Sequence, residues 1–261
     1  MTMTKSRALR APAARFADAV AEPPAAAPTS GAGGVRTTFG LAHASAIEFV
    51  ASVSLGFVFA CLGVATAMGF LDMLRRMDFA HPSLASVAEV LSRLAIASFM
   101  MLVSWLVLIR LRPVAKSSGL APRIAALIGT FLQLALVLLP RQADTSITVK
   151  LISSALILGG NSLALYVLTW LGRSFSIMPE ARRLVTGGPY GIVRHPLYLA
   201  EFIASMGVLL QFFSPYAALI SGTQAGFQIL RMHFEERVLR SAFPDYAAYS
   251  RRTWRVIPGL Y

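Results

Sequence analysis

The 261 residues carry a net charge of +12 but only 14% charged side chains, and 56% are hydrophobic. Soluble domains hold about a quarter charged residues, so this composition excludes an ordinary soluble enzyme. The lysines and arginines sit in the gaps between apolar runs rather than on one basic face, which argues against nucleic acid as a partner and for a polytopic membrane protein.

Cys61 is the single cysteine, and His43, His81, His195 and His233 are scattered, so neither an internal disulfide nor a metal site is expected. Residues 1–40 are rich in alanine and proline, with Lys5, Arg7, Arg10, Arg15 and Arg36 against Asp18 and Glu22. No apolar core of signal-peptide length follows the basic start, so cleavage and export are not expected; a disordered cytoplasmic tail is the simpler reading, with a transit peptide the alternative.

Apolar segments follow in order. Ile47–Leu71, Leu94–Leu111, Ile124–Pro140 and Val149–Leu171 read as four membrane spans, the third of them short for about 30 Å of hydrocarbon. Pro196–Leu230 is a further apolar stretch whose only charge is Glu201. It is too long for one span and just enough for two short ones, and Pro215 in "FFSPYA" favours a break at its middle. The expected architecture is all-α: a helical bundle of four spans plus a C-terminal hairpin. Its regions are a tail (1–40), N-terminal spans (45–145) and a core with a C-terminal binding segment (146–261).

Charge sets the orientation. Nineteen of the Lys and Arg residues fall before the first span or in Arg110–Arg123, Arg173–Arg194 and Arg231–Arg255. Arg75, Arg76, Arg93, Arg141 and Lys150 make up the other side. The asymmetry predicts both termini in the cytoplasm, and the alanine-rich composition points to a bacterial inner membrane.

Two polar segments then share the cytoplasmic side, "RSFSIMPEARRLVTGGPYGIVRHPLY" (Arg173–Tyr198) and "RMHFEERVLRSAFPDYAAYSRRTWRVIPGLY" (Arg231–Tyr261). They flank the hairpin, so its return brings them together. Pro196 suits the first turn of a helix, and Arg194 and His195 precede that turn, where exposed backbone donors favour an anion. Arg231 and Glu235 are four apart and share a helix face. Glu235 and Glu236 point about 100° apart, so one can face a site while the other packs or is solvated. Tyr246 and Tyr249 read equally as packing or as ligand contacts. Asn161 and Gln133 read as interhelical hydrogen bonds and "GGNS" as a place of close helix approach. Glu201, a carboxylate at membrane depth, is a functional candidate.

The runs "LVTGGPYGIVRHPLY", "EERVL", "FPDYAAY" and the "VIP" ending resemble the isoprenylcysteine carboxyl methyltransferase family of integral membrane enzymes, over about Val149–Tyr261. The resemblance implies S-adenosylmethionine held by the C-terminal half and methyl transfer at the membrane face. It implies cofactor contacts from Arg182, Leu184, Val185, Tyr190, His195, Pro196, Leu197, Tyr198 and Glu235. It also implies Arg231 as the substrate-facing arginine, with Arg231 and Glu235 the catalytic pair. No G-x-G-x-x-G follows a strand, so a soluble Rossmann methyltransferase domain is not expected.

The leading expectation is therefore a membrane methyltransferase acting on a lipophilic or small thiol, carboxylate or amine. Phospholipid N-methylation is its nearest variant. The ending "WRVIPGLY" is also similar to membrane sterol reductases that bind NADPH, and a non-enzymatic membrane protein is the third alternative.

Overall fold

The computed structural model describes residues 38–140 and 145–261, so the expected tail lies outside the described residues up to position 37. The chain is an all-α membrane bundle. Helix α1 is Thr38–Arg76 and α2 is Leu84–Ile109. Strand β1 (Ala115–Lys116) leads to α3 (Ala121–Phe131), which continues as a 3₁₀ segment over Leu132–Leu138. Helix α4 spans Ile147–Leu171, and β2 is Glu180–Ala181. Helix α5 (Pro196–Gln211), α6 (Pro215–Ala242) and the short α7 (Tyr246–Arg252) complete the chain.

Three stretches are long and apolar enough to cross a bilayer: Phe49–Arg76, Leu84–Ile109 and Ile147–Ser174. Phe57, Met68 and Trp105 are more than half exposed. Such side chains would be a liability in water and are the natural surface toward lipid. The second helix starts ten residues before the expected Leu94. Ser83 caps it by accepting from the Ser86 N–H, and the polar residues that hid this start are paired. Arg93 Nη2 donates to Glu89 at 3.1 Å, and Ser92 Oγ donates to the Ser154 carbonyl at 2.8 Å.

The expected span Ile124–Pro140 is not one α-helix. Where α3 ends, the Gly129 carbonyl accepts Gln224 Nε2 at 3.0 Å, and the chain tightens into the 3₁₀ segment. At about 2.0 Å per 3₁₀ residue against 1.5 Å per α residue, residues 121–138 rise about 30 Å, which removes the apparent shortness.

Helix α5 lies mainly against α4, and α6 mainly against α3, so the two arms of the hairpin are splayed rather than tightly paired. Small residues draw α4 and α5 together. A Cβ on Gly160 would stand 2.5 Å from the Ala204 nitrogen, and one on Gly207 would stand 2.7 Å from the Ser153 carbonyl. Gly159, by contrast, faces open space. Asn161 turns back on the Ile157 carbonyl of its own helix, whereas Gln133 does bridge helices, to the Ser205 carbonyl at 3.5 Å. Phe59, Val103, Val107, Val167, Leu168, Phe175, Ile177 and Leu197 belong to the main core, directly beneath the polar face.

Candidate functional site

Leaving α4, the chain turns at Gly172 (φ +50°) and is clasped to the segment after α2. Ala115 and Lys116 pair antiparallel with Ala181 and Glu180, and the Leu111 N–H donates to the Arg173 carbonyl at 2.8 Å. The loops after α2 and α4 therefore share one end of the bundle. At Gly188 φ is +59° and a Cβ would lie 2.4 Å from the Trp170 ring, so only glycine fits. The 3₁₀ turn Gly188–Gly191 that follows buries Tyr190.

His195 is the N-cap of α5 and Pro196 its first residue, and the C-terminal tail folds back onto this junction. Arg194 N–H donates to the Trp254 carbonyl at 2.8 Å and His195 N–H to the Arg255 carbonyl at 3.0 Å. Glu236 lies on α6 beyond its apolar part and ties the junction together. It accepts from Arg194 Nε at 3.0 Å, from Arg255 Nε at 3.0 Å and from Arg255 Nη2 at 2.8 Å, and it meets His195 Nε2 at 3.2 Å. Burial alone would raise its pKa. The hydrogen bonds from His195, Arg255 and Arg194 outweigh that and hold the carboxyl far below its ordinary range. Arg194 Nη1 also caps the Ser250 carbonyl at 2.7 Å and the Thr253 carbonyl.

Beside this clamp lies a cleft lined by the loop Ser174–Val185, the start of α5 and the polar end of α6. Tyr198 Oη donates to Glu235 Oε2 at 2.8 Å, and the Arg231 guanidinium lies 5.0 Å above the Tyr198 ring. Arg231 is 5% exposed. Its Nη1 donates to Thr130 Oγ1 at 3.2 Å and its Nη2 to the Ser176 carbonyl at 3.3 Å, while its Nε has no acceptor. Ser174 Oγ and Tyr246 Oη, also on the cleft wall, are buried without a partner. Glu180 Oε2 accepts from Ser176 Oγ at 3.0 Å and from Arg182 Nη2. Burial, with Glu235 nearby, pushes the Tyr190 phenol well up. Burial likewise brings Tyr249 to about 12. Tyr249 is thus a proton donor at physiological pH, and its Oη donates to the Tyr190 carbonyl at 2.8 Å. Leu171, Phe175, Leu184, Val185, Leu197 and Leu239 form the apolar walls.

Arg182, Leu184, Val185, Tyr190, His195, Leu197, Tyr198, Arg231 and Glu235 all reach this one cleft. Pro196 does not; it is buried in the first turn of α5 and positions its neighbours. His195 keeps its place on the wall, but its Nε2 is engaged by Glu236. Sequence reasoning left Glu236 undecided and passed over Ser174, Phe175, Ser176 and Glu180. The signal available for these was the run "RSFSIMPEARR", polar from the moment it leaves the span. Tyr246 and Tyr249 face the cleft as well as packing on each other, with ring centroids 5.8 Å apart. The donor set suits a molecule carrying an anionic group, hydroxyls and an apolar or ring portion. Three buried polar atoms without partners around one cleft are unusual for a packed interior.

Comparison with known proteins adds the chemistry. Residues 152–241 match the model of the isoprenylcysteine carboxyl methyltransferase (ICMT) family. The cobalt-zinc-cadmium resistance protein CzcN of Cupriavidus metallidurans is 37% identical over 79 residues, 30% of this chain and 36% of that protein. The nickel-cobalt-cadmium resistance protein NccN of Alcaligenes xylosoxydans xylosoxydans is 33% identical over 82 residues, 31% of this chain and 38% of that protein. The matched stretch thus spans little more than a third of either relative. Residues 152–241, which build most of α4, the cleft wall, α5 and most of α6, are thus the part of the chain that is similar to the ICMT family, a family of methyltransferases.

Proposed function

We propose that the protein is an integral membrane methyltransferase that uses S-adenosylmethionine on a lipophilic or small nucleophile reaching the site from the bilayer. The observation that carries this is the convergence of the Arg182–Tyr198 segment with the Arg231–Glu235 face of α6 around buried polar atoms that lack partners. Methyltransferases of this family use that cofactor generally, and the residues present fit it. Glu235 offers a carboxylate to ribose hydroxyls or an ammonium, and Arg231 Nε offers a donor to an anionic group. Tyr190, Leu184, Val185 and Leu197 supply aromatic and apolar walls for a flat ring. When bound, S-adenosylmethionine supplies an electrophilic methyl group on a sulfonium sulfur.

The protein's part is alignment. Tyr198 is held by Glu235 and covered by Arg231, so the α5 and α6 sides of the cleft are locked in register. Arg231 hydrogen-bonds α3 and the Ser176 loop at once and stands where cleft and apolar bundle meet, placed to hold an anionic part of the acceptor. The relatives' names speak of metal resistance. Among the described residues no three His, Cys, Asp or Glu side chains gather as a metal site.

We place the cleft on the cytoplasmic side, on the strength of the charge asymmetry. Calorimetry on detergent-purified protein tests the proposal: S-adenosylmethionine should bind and NADPH should not. Binding of NADPH alone would replace this reading by a reductase. Reporter fusions at Lys116 and Asp78 should read cytoplasmic and external, respectively.

A further inference from the structure

The face of α6 that carries Glu235 and Arg231 continues away from the cleft as Gln228, Gln224 and Ser221. Steps of four, three, four and three residues keep all five on one side of the helix, over about 21 Å. Gln228, Gln224 and Ser221 are buried, although they lie in the stretch of α6 that belongs to the apolar hairpin. Across from them on α5 stands Glu201, one turn beyond Tyr198 and only partly buried. Its Oε2 accepts Gln228 Nε2 at 2.7 Å. One turn further along α5, the Ser205 carbonyl accepts Gln133 Nε2 from the 3₁₀ segment, and the Gly129 carbonyl of α3 accepts Gln224 Nε2.

The unused atoms of this seam are mostly of one kind. A carboxylate or a carbonyl fixes which way each glutamine amide points, so its nitrogen is spent. The Oε1 atoms of Gln228 and Gln133 remain buried without a donor, and so does Ser221 Oγ. Among the described residues Glu201 makes no ion pair, and Gln228 is its hydrogen-bond donor. A bundle that needed only packing would carry leucine at these positions. Here it carries acceptors that lack donors, and it ends one helical turn from Tyr198 and Arg231, which line the cleft.

We propose that this seam seats the reacting group of the methyl acceptor, and that the group is an amine, with Glu201 as its anchoring carboxylate. The proposal rests on the methyltransferase reading above and narrows it. An amine brings the N–H donors the seam lacks. A carboxylate acceptor would bring none and would set a third negative group beside Glu201 and Glu235, while a thiol offers one weak donor. In the transfer the nitrogen lone pair forms the N–C bond as the sulfonium S–C bond breaks. The breaking bond's electron pair stays on sulfur. The nitrogen then sheds a proton, which the Glu201 carboxylate accepts. An anionic group next to the amine has Arg231 Nε, so the seam also fits a headgroup that pairs an amine with a phosphate.

The test uses full-length protein in phosphatidylcholine nanodiscs with methyl-labelled S-adenosylmethionine, given dodecylamine, dodecanethiol or dodecanoate, and in separate discs phosphatidylethanolamine. Label is expected in dodecylamine, in phosphatidylethanolamine or in both; the lipid alone would identify a headgroup amine. Glu201→Gln should lower kcat/KM for the amine at least tenfold with cofactor affinity within twofold of wild type, and Glu201→Asp should recover part of it. Independently of turnover, dodecylamine should raise the Tm of the wild type and not that of Glu201→Gln. Label in dodecanoate or dodecanethiol but in neither amine would overturn the proposal, as would an equal dodecylamine shift in wild type and Glu201→Gln. If the wild type fails to bind S-adenosylmethionine, the methyltransferase reading falls, and the dodecylamine shift still decides whether the seam is an amine site.

Discussion

Two buried charges stand five residues apart on α6, and they are treated in opposite ways. Glu236 meets Arg194, His195 and Arg255, and its partners are themselves held by the carbonyls of the folded-back tail. Arg231 is equally buried, yet it has a hydroxyl, a carbonyl and an aromatic ring in contact, the Glu201 carboxylate only at a distance, and one N–H with no acceptor. Burying a charge is costly unless it is paired and hydrogen-bonded. Glu236 meets that condition within the chain, and so behaves as part of the architecture. Arg231 does not, which is what a residue awaiting an anionic partner looks like.

If that contrast is right, removing Glu236 should break the fold and removing its neighbours should break binding or turnover. Glu236→Ala strands Arg194 and Arg255 beside the α5 junction, and loss of one partner of a buried ion pair costs about 3–5 kcal/mol. The expected result is a large fall in Tm of the detergent-purified protein, with cofactor binding lost alongside. A variant that melts like wild type would dissolve the distinction.

Glu235→Gln sharpens the comparison, because it is the adjacent residue and keeps its shape. It should weaken S-adenosylmethionine binding by about 1.5–3 kcal/mol, the range for a hydrogen bond to a charged group. Its Tm without ligand should stay near wild type, and calorimetry reads both arms. Equal cofactor affinity would remove Glu235 from the site.

Arg231→Ala should lower turnover on a membrane extract by roughly tenfold or more, about 1.4 kcal/mol in barrier, with cofactor affinity nearly unchanged. Arg231→Lys should rescue only partly, since lysine cannot offer a planar fork. Poor cofactor binding with normal turnover at saturation would move Arg231 to the cofactor side.

A further effect is in acid. Glu236 has its folded pKa depressed below the ordinary 4.5, so its contribution is present above that value and is lost as pH falls through and below it. Stability should decline by up to about 1.4 kcal/mol per pH unit below 4.5 on account of this group. Glu236→Gln, destabilised at neutral pH, should lack that share of the slope. Parallel acid profiles for the two proteins would count against the clamp.

Much of the site was legible because it is local. The stretch from Gly187 to Tyr198 places a forced glycine, a buried tyrosine, a helix cap and a first-turn proline within twelve residues, and each acts through its nearest neighbours. Arg231 and Glu235 share a face by helical periodicity alone. The role of Glu236 was not legible, because its partners come from 41 residues earlier and 19 later, and the tail has to fold back before they meet. The loop Ser174–Glu180 was missed for a similar reason. Its wall position depends on the pairing of Glu180–Ala181 with Ala115–Lys116, which no local pattern announces.

What the sequence determined by itself is the membrane setting, the helical class, the charge asymmetry and the two motifs that the hairpin must bring together. These follow from composition, apolar length and helix periodicity, which act over a few residues at a time. Tertiary structure alone decided that α5 leans on α4 and α6 on α3, that α3 gives way to a 3₁₀ segment where Gln224 takes the Gly129 carbonyl, and that the glutamines of α6 line a polar seam. Those outcomes depend on which donors and acceptors meet inside an apolar bundle, where every polar atom must find its partner within the protein or go without.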